Sequence, residues 1–355
     1  MTIKRIDLFS KTFQLRNPYT IAYDSITAAP NLLVRIETDN GLIGWGNAAP
    51  DAFVTGETIA QAEVLLTTTI MPALFGREAR ALSAHHEFLQ QHAARIPAAC
   101  AAIDTALYDL FGKSVNLPLY KLLGWARPKI LTSITIGIAA VTESVRQARE
   151  LVRAGFRALK IKTGADWEED AERIRAIRAA IGPTFALRID ANQGYTAEQA
   201  LAFCHRVAGE RLEFVEQPTA AKNIAALKAV RDSAQIPIMA DESALTSNDV
   251  LTLAASGAVD MINLKLMKTG GITSTMQATA VAAAGKMPVM LGCNDESRIS
   301  IAAGVHLACA LGGVHYADLD GAFDIVDDVA AGGFVLQDGY LIPSDQPGLG
   351  VDVKI

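Results

Sequence analysis

From about residue 130 onward, short apolar runs alternate with longer segments whose apolar positions recur every three or four residues, the patterns of buried strands and amphipathic helices. Eight strand runs are visible, at 130–137, 158–163, 186–191, 212–216, 236–241, 259–265, 287–292 and 314–320. Most are apolar throughout, as parallel strands become when helices cover one face and a packed interior fills the other. Between them lie helical segments such as 142–155 and 166–182, each with a glycine near its end. Repeated strand–helix units close most economically as a (β/α)8, TIM-like barrel of the α/β class, although a doubly wound open sheet shares the local pattern.

The first part of the chain reads differently. RIDLFSKTFQLR and NLLVRIETDNGLIGWG, with a D-N-G turn, predict an antiparallel meander, followed by helices near 57–74, 79–94 and 97–113. The expected organisation is an α+β capping domain over 1–128, the barrel over 129–320, and a C-terminal segment, 321–355, packing back on the cap. Within that last segment GGFVLQDGYLI predicts a hairpin around Asp338-Gly339.

Composition narrows the function. With 50% hydrophobic and 20% charged residues the chain is that of a globular protein with a large core. Its 32 Lys and Arg against 38 Asp and Glu give a net charge of −6, spread along the chain, which argues against nucleic-acid or anionic-membrane partners. The N-terminus lacks a long apolar run, and no stretch reaches bilayer-spanning length. Cys100, Cys204, Cys293 and Cys309 lie far apart, so neither a disulfide framework nor a zinc knuckle is indicated, and a cytoplasmic location is expected. A homo-oligomer is compatible with apolar outer helices.

The informative polar residues stand at the strand ends. Lys160 and Lys162 end the second run, Asp190 the third, Glu216 the fourth, Asp241 the fifth, Lys265 the sixth, and Asp318 with Asp320 the eighth. Each falls one or more whole repeats after the last, so a barrel brings all of them to one rim, where such folds place their chemistry. Charges buried there must neutralise one another or hold an ion. Asp190, Glu216 and Asp241 supply hard oxygen ligands suited to Mg2+. Any one carboxylate alone could cap a helix; three in register are not explained by capping. Lys160 and Lys162 share one side of their strand, and mutual repulsion beside a dication is expected to lower their pKa until one can act as a base. Lys265 lies across the barrel. A base on each face of a carbon acid, with an ion to hold the charge left behind, is the equipment of a racemase or epimerase.

At this point the chain resembles the enolase superfamily, in particular its muconate-lactonising subgroup. The resemblance runs through LKIKTG (159–164), RIDANQG (188–194), EFVEQP (213–218), MADES (239–243) and INLKLMKTGG (262–271), and reaches GWGNAAP (44–50) and AAIDTALYDLFGKSVNLPLYKLLG (101–124). It implies a capping domain whose loops close over the substrate, Mg2+ on Asp190, Glu216 and Asp241, Lys162 and Lys265 as the two acid/base groups, and Lys160 as an electrostatic helper. Asn192 and Gln217 would orient the carboxylates. Lys268, three residues on, falls beyond the strand end and reads as structural.

The subgroup contains several reactions, so the family alone does not fix the chemistry. Asp318-x-Asp320 resembles the D-x-D motif with which dipeptide epimerases grip an α-ammonium group, a natural partner for two carboxylates. The resemblance therefore implies a Mg2+-dependent dipeptide epimerase, inverting the second residue by two-base proton transfer through an enediolate. Epimerases acting on alanine and glutamate carry an arginine in the first-domain loop; aligning PYTIAYDSI (18–26) puts Asp24 there instead. With Asp51, Asp295 and Glu296 it makes an acidic wall, which favours dipeptides containing Lys or Arg. Thr135 is expected to contact the dipeptide's terminal carboxylate. An N-acylamino acid racemase, o-succinylbenzoate synthase or muconate cycloisomerase on the same scaffold stays open, as do a metal-free Schiff-base lysine enzyme and a barrel that only binds. The absence of a Gly-rich phosphate loop speaks against nucleotides.

Overall fold

A computed structural model describes residues 1–355. The chain opens with β1 (Ile3–Thr20), β2 (Ser25–Thr38) and β3 (Ile43–Ala48), an antiparallel meander. Helix α1 (Ile59–Leu65) runs through a π-type stretch, Leu66–Ile70, into α2 (Met71–Leu74), and α3 (Leu82–Ala93), α4 (Pro97–Ser114) and α5 (Leu119–Leu122) follow. The alanines of α4 let this helix lie almost against the sheet. A Cβ added at Gly44 or Gly46 would stand 2.2 Å from the Ala106 carbonyl oxygen or 1.8 Å from that of Ala102, so only glycine fits. Glu57, buried between the loop after β3 and α4, accepts the Ala98 N–H at 2.6 Å, satisfying one of the free donors of that helix start. Its Oε2 has no partner, and burial pushes its carboxyl up to about 7.

A two-residue entrance strand, β4 (Ile130–Leu131), precedes the barrel. The barrel is built from β5 (Ser133–Ile136), α6 (Val141–Arg153), β6 (Ala158–Lys162), α7 (Trp167–Ile181), β7 (Ala186–Asp190), α8 (Ala197–Arg206), β8 (Phe214–Glu216) and α9 (Ile224–Ser233). It continues with β9 (Ile238–Ala240), α10 (Ser247–Ser256), β10 (Met261–Lys265), α11 (Leu266–Thr269), α12 (Ile272–Ala284), β11 (Val289–Gly292), α13 (Arg298–Ala310) and β12 (Val314–Asp318). The eight strands β5 to β12 are parallel in chain order, and a bridge between Thr132 and Ala317 closes the seam between first and last. This is the (β/α)8-type barrel, with the open-sheet alternative set aside and with no helix after β12. The strands are one to four residues shorter than their apolar runs, because flanking residues belong to loops or, at 130–131, to the entrance strand. Phe214, Met239, Met261 and Met290 fill the barrel floor, where the Arg188 guanidinium lies over the rings of Phe214 and Tyr316.

Cap and barrel are stitched together by polar contacts. Asp104 of α4 accepts from the backbone N–H (3.0 Å) and hydroxyl (2.8 Å) of Thr273 in the first turn of α12. Asn31 donates to the Asp295 carbonyl, and Asn294 to that of Ala49. After β12 the chain crosses to β1: the Arg16 N–H donates to the Asp324 carbonyl at 2.8 Å and the Val326 N–H to that of Gln14 at 3.0 Å. Beyond this strap, β13 (Ala330–Gly332) pairs with β16 (Val351–Val353). The hairpin of β14 (Phe334–Gln337) and β15 (Tyr340–Pro343) extends the barrel's entrance strand β4. The four cysteines are free, and no helix is long and apolar enough to cross a membrane.

Candidate active site

Parallel pairing sets the height of each charged strand end. Lys162 lies beside Asp190 and Asp190 beside Glu216 in register, with Asp241 directly after β9. Asp190, Glu216 and Asp241 are fully buried and can each turn an oxygen to within 4.8 Å of the others. Four ammonium groups face them. Lys160 Nζ lies 3.0 Å from Asp190, 3.0 Å from Glu216 and 2.7 Å from Asp318. Lys162 Nζ is 2.8 Å from Asp190 and donates to Asn192 Oδ1 at 3.0 Å. Lys265 Nζ is 3.0 Å from Asp241 on the other side, and Lys268 donates to both the carboxylate and the carbonyl of Asp241. Each of these four ammoniums thus has a carboxylate partner in the buried cluster, the pairing under which such charges are tolerated.

Burial opposes the charge of Lys160 and Lys265, yet the facing carboxylates outweigh it and hold both pKa values well above the ordinary lysine range. For these two lysines the facing acids outweigh the repulsion between like charges. Lys268 is lowered, by burial. Burial works against the charged Asp190 as well, but Lys160 and Lys162 bring it down to about 2, whereas burial and then the Asp190 charge push Glu216 up to about 8.

The remaining predicted residues separate into those that face the cluster and those that do not. Asn192 donates its backbone N–H to Asp190 Oδ1 and its side chain to Glu242, while Gln217 Oε1 accepts the N–H groups of Asp241 and Ser243. Both hold left-handed backbone, φ +41° and +36°, a strain that collects at sites where geometry is over-determined. Asp318 is fully committed, accepting from Ser133 Oγ and pairing with Lys160, both at 2.7 Å. Asp320 accepts the Thr135 N–H at 2.7 Å through Oδ2; its Oδ1 meets only the Cys293 thiol at 3.9 Å, and burial followed by Asp318 lifts it to about 7. Thr135 thus stands beside Asp320 at the end of β5, on the same rim as the cluster.

Asp24 is exposed in the β1–β2 turn, where it accepts the Ser25 N–H, and its neighbour Tyr23 points inward, its ring 4.6 Å from that of Phe53. Burial raises the Tyr23 hydroxyl, which also feels Asp51, Lys265 and Glu242. Asp51 uses Oδ1 to hold the Phe53 and Val54 N–H groups of its own turn. Asp295 accepts from the Tyr19 hydroxyl at 2.9 Å, and burial raises it to about 6. Glu296 is buried against the Asn294 N–H and rises to about 7 for the same reason. Sequence reasoning missed Asn263, which donates to Glu216 at 2.6 Å, and Glu242; Asn263 sits two residues before Lys265, so strand alternation was the signal for it.

Residues 4–124 match the family model described as mandelate racemase / muconate lactonizing enzyme, N-terminal domain, and residues 143–354 match that described as enolase C-terminal domain-like. The chain belongs to the enolase superfamily. Within the superfamily it is 40% identical, over 99% of both chains, to an L-Lys-D/L-Arg epimerase of Desulforapulum autotrophicum. Among solved structures it superposes with TM-score 0.95 and 41% identity, covering 100% of both chains, on a Methylococcus capsulatus dipeptide epimerase complexed with Mg and L-Arg-D-Lys. It superposes with TM-score 0.96 and 37% identity, covering 99% of this chain and 100% of the other, on an Enterococcus faecalis dipeptide epimerase complexed with Mg and L-Leu-L-Tyr. The chain is an isomerase of the racemase and epimerase class.

Proposed function

We propose that the chain is a Mg2+-dependent dipeptide epimerase that inverts the α-carbon of the second residue. The observation carrying this reading is the placement of Lys162 and Lys265 at opposite ends of one buried carboxylate trio. The trio suits a hard dication: three buried carboxylates converge, and Glu216 Oε2 and Asp241 Oδ2 face only the Lys160 and Lys265 ammonium groups, each at 3.0 Å. Bound Mg2+ would supply positive charge beside the substrate carboxylate as its α-proton leaves. Lys162 and Lys265 then exchange roles, one removing that proton and the other delivering one to the opposite face. Lys160 keeps positive charge beneath the site, and Asp320 Oδ1 is the oxygen left to receive an α-ammonium, whose charge would draw the Asp320 pKa back down.

Cationic side chains are the preferred cargo in this reading. Asp51 Oδ2 and Asp295 Oδ1 make no hydrogen bond within the chain, and the charges acting on Asp295 and Tyr23 come from acids and from Lys162 and Lys265. A second reading, apolar dipeptides, is favoured by the Tyr23–Phe53 pair, since Phe53 is 64% exposed. Loss of α-proton signal in deuterated water with Mg2+, across cationic, apolar, acidic and N-acylated dipeptides, separates these. We expect the fastest exchange with Lys- or Arg-containing members; equal rates on Glu-containing members end the charge argument, and equal rates on N-acylated forms end the dipeptide assignment. The location is read as cytoplasmic.

A further inference from the structure

We infer that Asp170, Arg173 and Tyr195 form a positioning network for Lys162 and not for Lys265. The inference rests on the two-base reading above. Lys162 is the last residue of β6, and the three that follow it must turn sharply. Gly164 has φ +107°, and a Cβ there would meet the Ala191 carbonyl oxygen at 2.3 Å, so the turn is pressed against the end of β7. A turn this tight holds its shape only if its polar backbone groups are engaged.

They are engaged by three buried side chains from outside the strand. Arg173 donates to the Lys162 carbonyl at 2.6 Å and to the Gly137 carbonyl at 3.4 Å, and pairs with Asp170 one turn earlier on α7. Asp170 Oδ2 accepts the Gly164 N–H at 2.9 Å and the Tyr195 hydroxyl at 2.7 Å; the Tyr195 oxygen in turn lies 3.2 Å from the same Gly164 N–H. The Thr163 N–H between them donates to the Asp190 carbonyl at 2.8 Å. The Lys162 carbonyl and the Thr163 and Gly164 N–H groups are thus all fixed. All three side chains are 5% exposed or less, so water does not compete.

Their positions explain why they touch one base only. Asp170 and Arg173 lie on α7 and Tyr195 in the loop after β7, both next to β6 and half the barrel away from β10. The Lys265 carbonyl is held instead by the Thr269 hydroxyl of the following short helix, at 3.1 Å. None of the three reaches the carboxylate trio, so they are positioning residues, acting through the backbone that aims the Lys162 ammonium.

The test uses the stereochemistry of proton exchange. Tyr195→Phe removes a single oxygen, and Arg173→Lys keeps the charge while losing the second donor. With Mg2+ in deuterated water, each epimer of one dipeptide exchanges its α-proton through the lysine on its own face; Lys162→Ala and Lys265→Ala identify which. We expect Tyr195→Phe to slow exchange of the Lys162-dependent epimer by roughly 10- to 100-fold at unchanged KM, as supporting groups around a reactive residue typically do, while the other epimer stays within about twofold. Arg173→Lys should show the same asymmetry in weaker form. Equal slowing of both epimers, or of neither, overturns the inference, with circular dichroism confirming that the variant is folded. If Lys162→Ala itself slows both epimers alike, the two-base reading fails first; if Lys162→Ala is asymmetric and Tyr195→Phe is not, only the positioning role fails.

Discussion

The Lys162 and Lys265 flanks present the same functional group to one carboxylate trio, yet they are built in different ways. Lys162 ends a strand whose exit is clamped by a buried ion pair and a tyrosine from neighbouring elements. Lys265 runs straight into α11, whose own Thr269 takes its carbonyl and whose Lys268 shares Asp241 with it. One of the two proposed bases is aimed by tertiary contacts and the other by the chain that immediately follows it. Chemical symmetry of a two-base site therefore does not require mechanical symmetry, and the two faces should respond differently to damage.

The largest expected effect is on the bases. Lys162→Ala and Lys265→Ala should each lower epimerisation by roughly a thousandfold or more, with deuterium exchange surviving for opposite epimers. Exchange lost for both epimers in both variants would erase the distinction between the flanks. Next, a chelator should abolish exchange on both faces together, and Mg2+ should restore both, because the trio serves them equally; calorimetric titration with Mg2+ should lose its signal in Asp241→Asn.

Lys268→Met should act on one flank. It removes one ammonium from a fully buried carboxylate, a change costing about 3–5 kcal/mol, so the melting temperature should fall and Mg2+ should recover part of the loss. The epimer handled by Lys265 should slow more than the other. The smallest effect lies away from both flanks. Glu57 has a folded pKa raised to about 7 by burial, so its contribution to stability is fully present below the unfolded glutamate value and is lost as pH rises through about 7. Glu57→Gln should flatten the decline of melting temperature between pH 5 and pH 8 while leaving the exchange ratio of the two epimers unchanged. An unaltered pH slope would remove Glu57 from that account.

The barrel and its charged rim were legible because period and chemistry coincide: apolar runs end in Lys, Asp, Glu, Asp and Lys at matching heights. What stayed hidden did so for physical reasons. Lys268 was placed beyond the strand end because strand spacing does not show that α11 turns back at once, carrying the ammonium into the cluster. Asp24 was assigned by its place in a motif, but a register shift between Gln14 and Tyr19 and a tight turn at the hairpin tip decide which side chain faces inward, and that is Tyr23. Asp170 and Arg173 sit among Glu168, Glu169 and Glu172, where the pattern reads as a solvated helix face; their burial depends on the loop after β7 packing over them. The absence of a helix after β12 could not be read from the weak signal beyond residue 321.

The seam at Thr132 and Ala317 joins the first and last staves of the barrel, and Ser133 reaches Asp318 across it. A chain stopped short of β12 would lack both that seam and the Asp318 carboxylate, leaving the buried Lys160 ammonium to Asp190 and Glu216 alone.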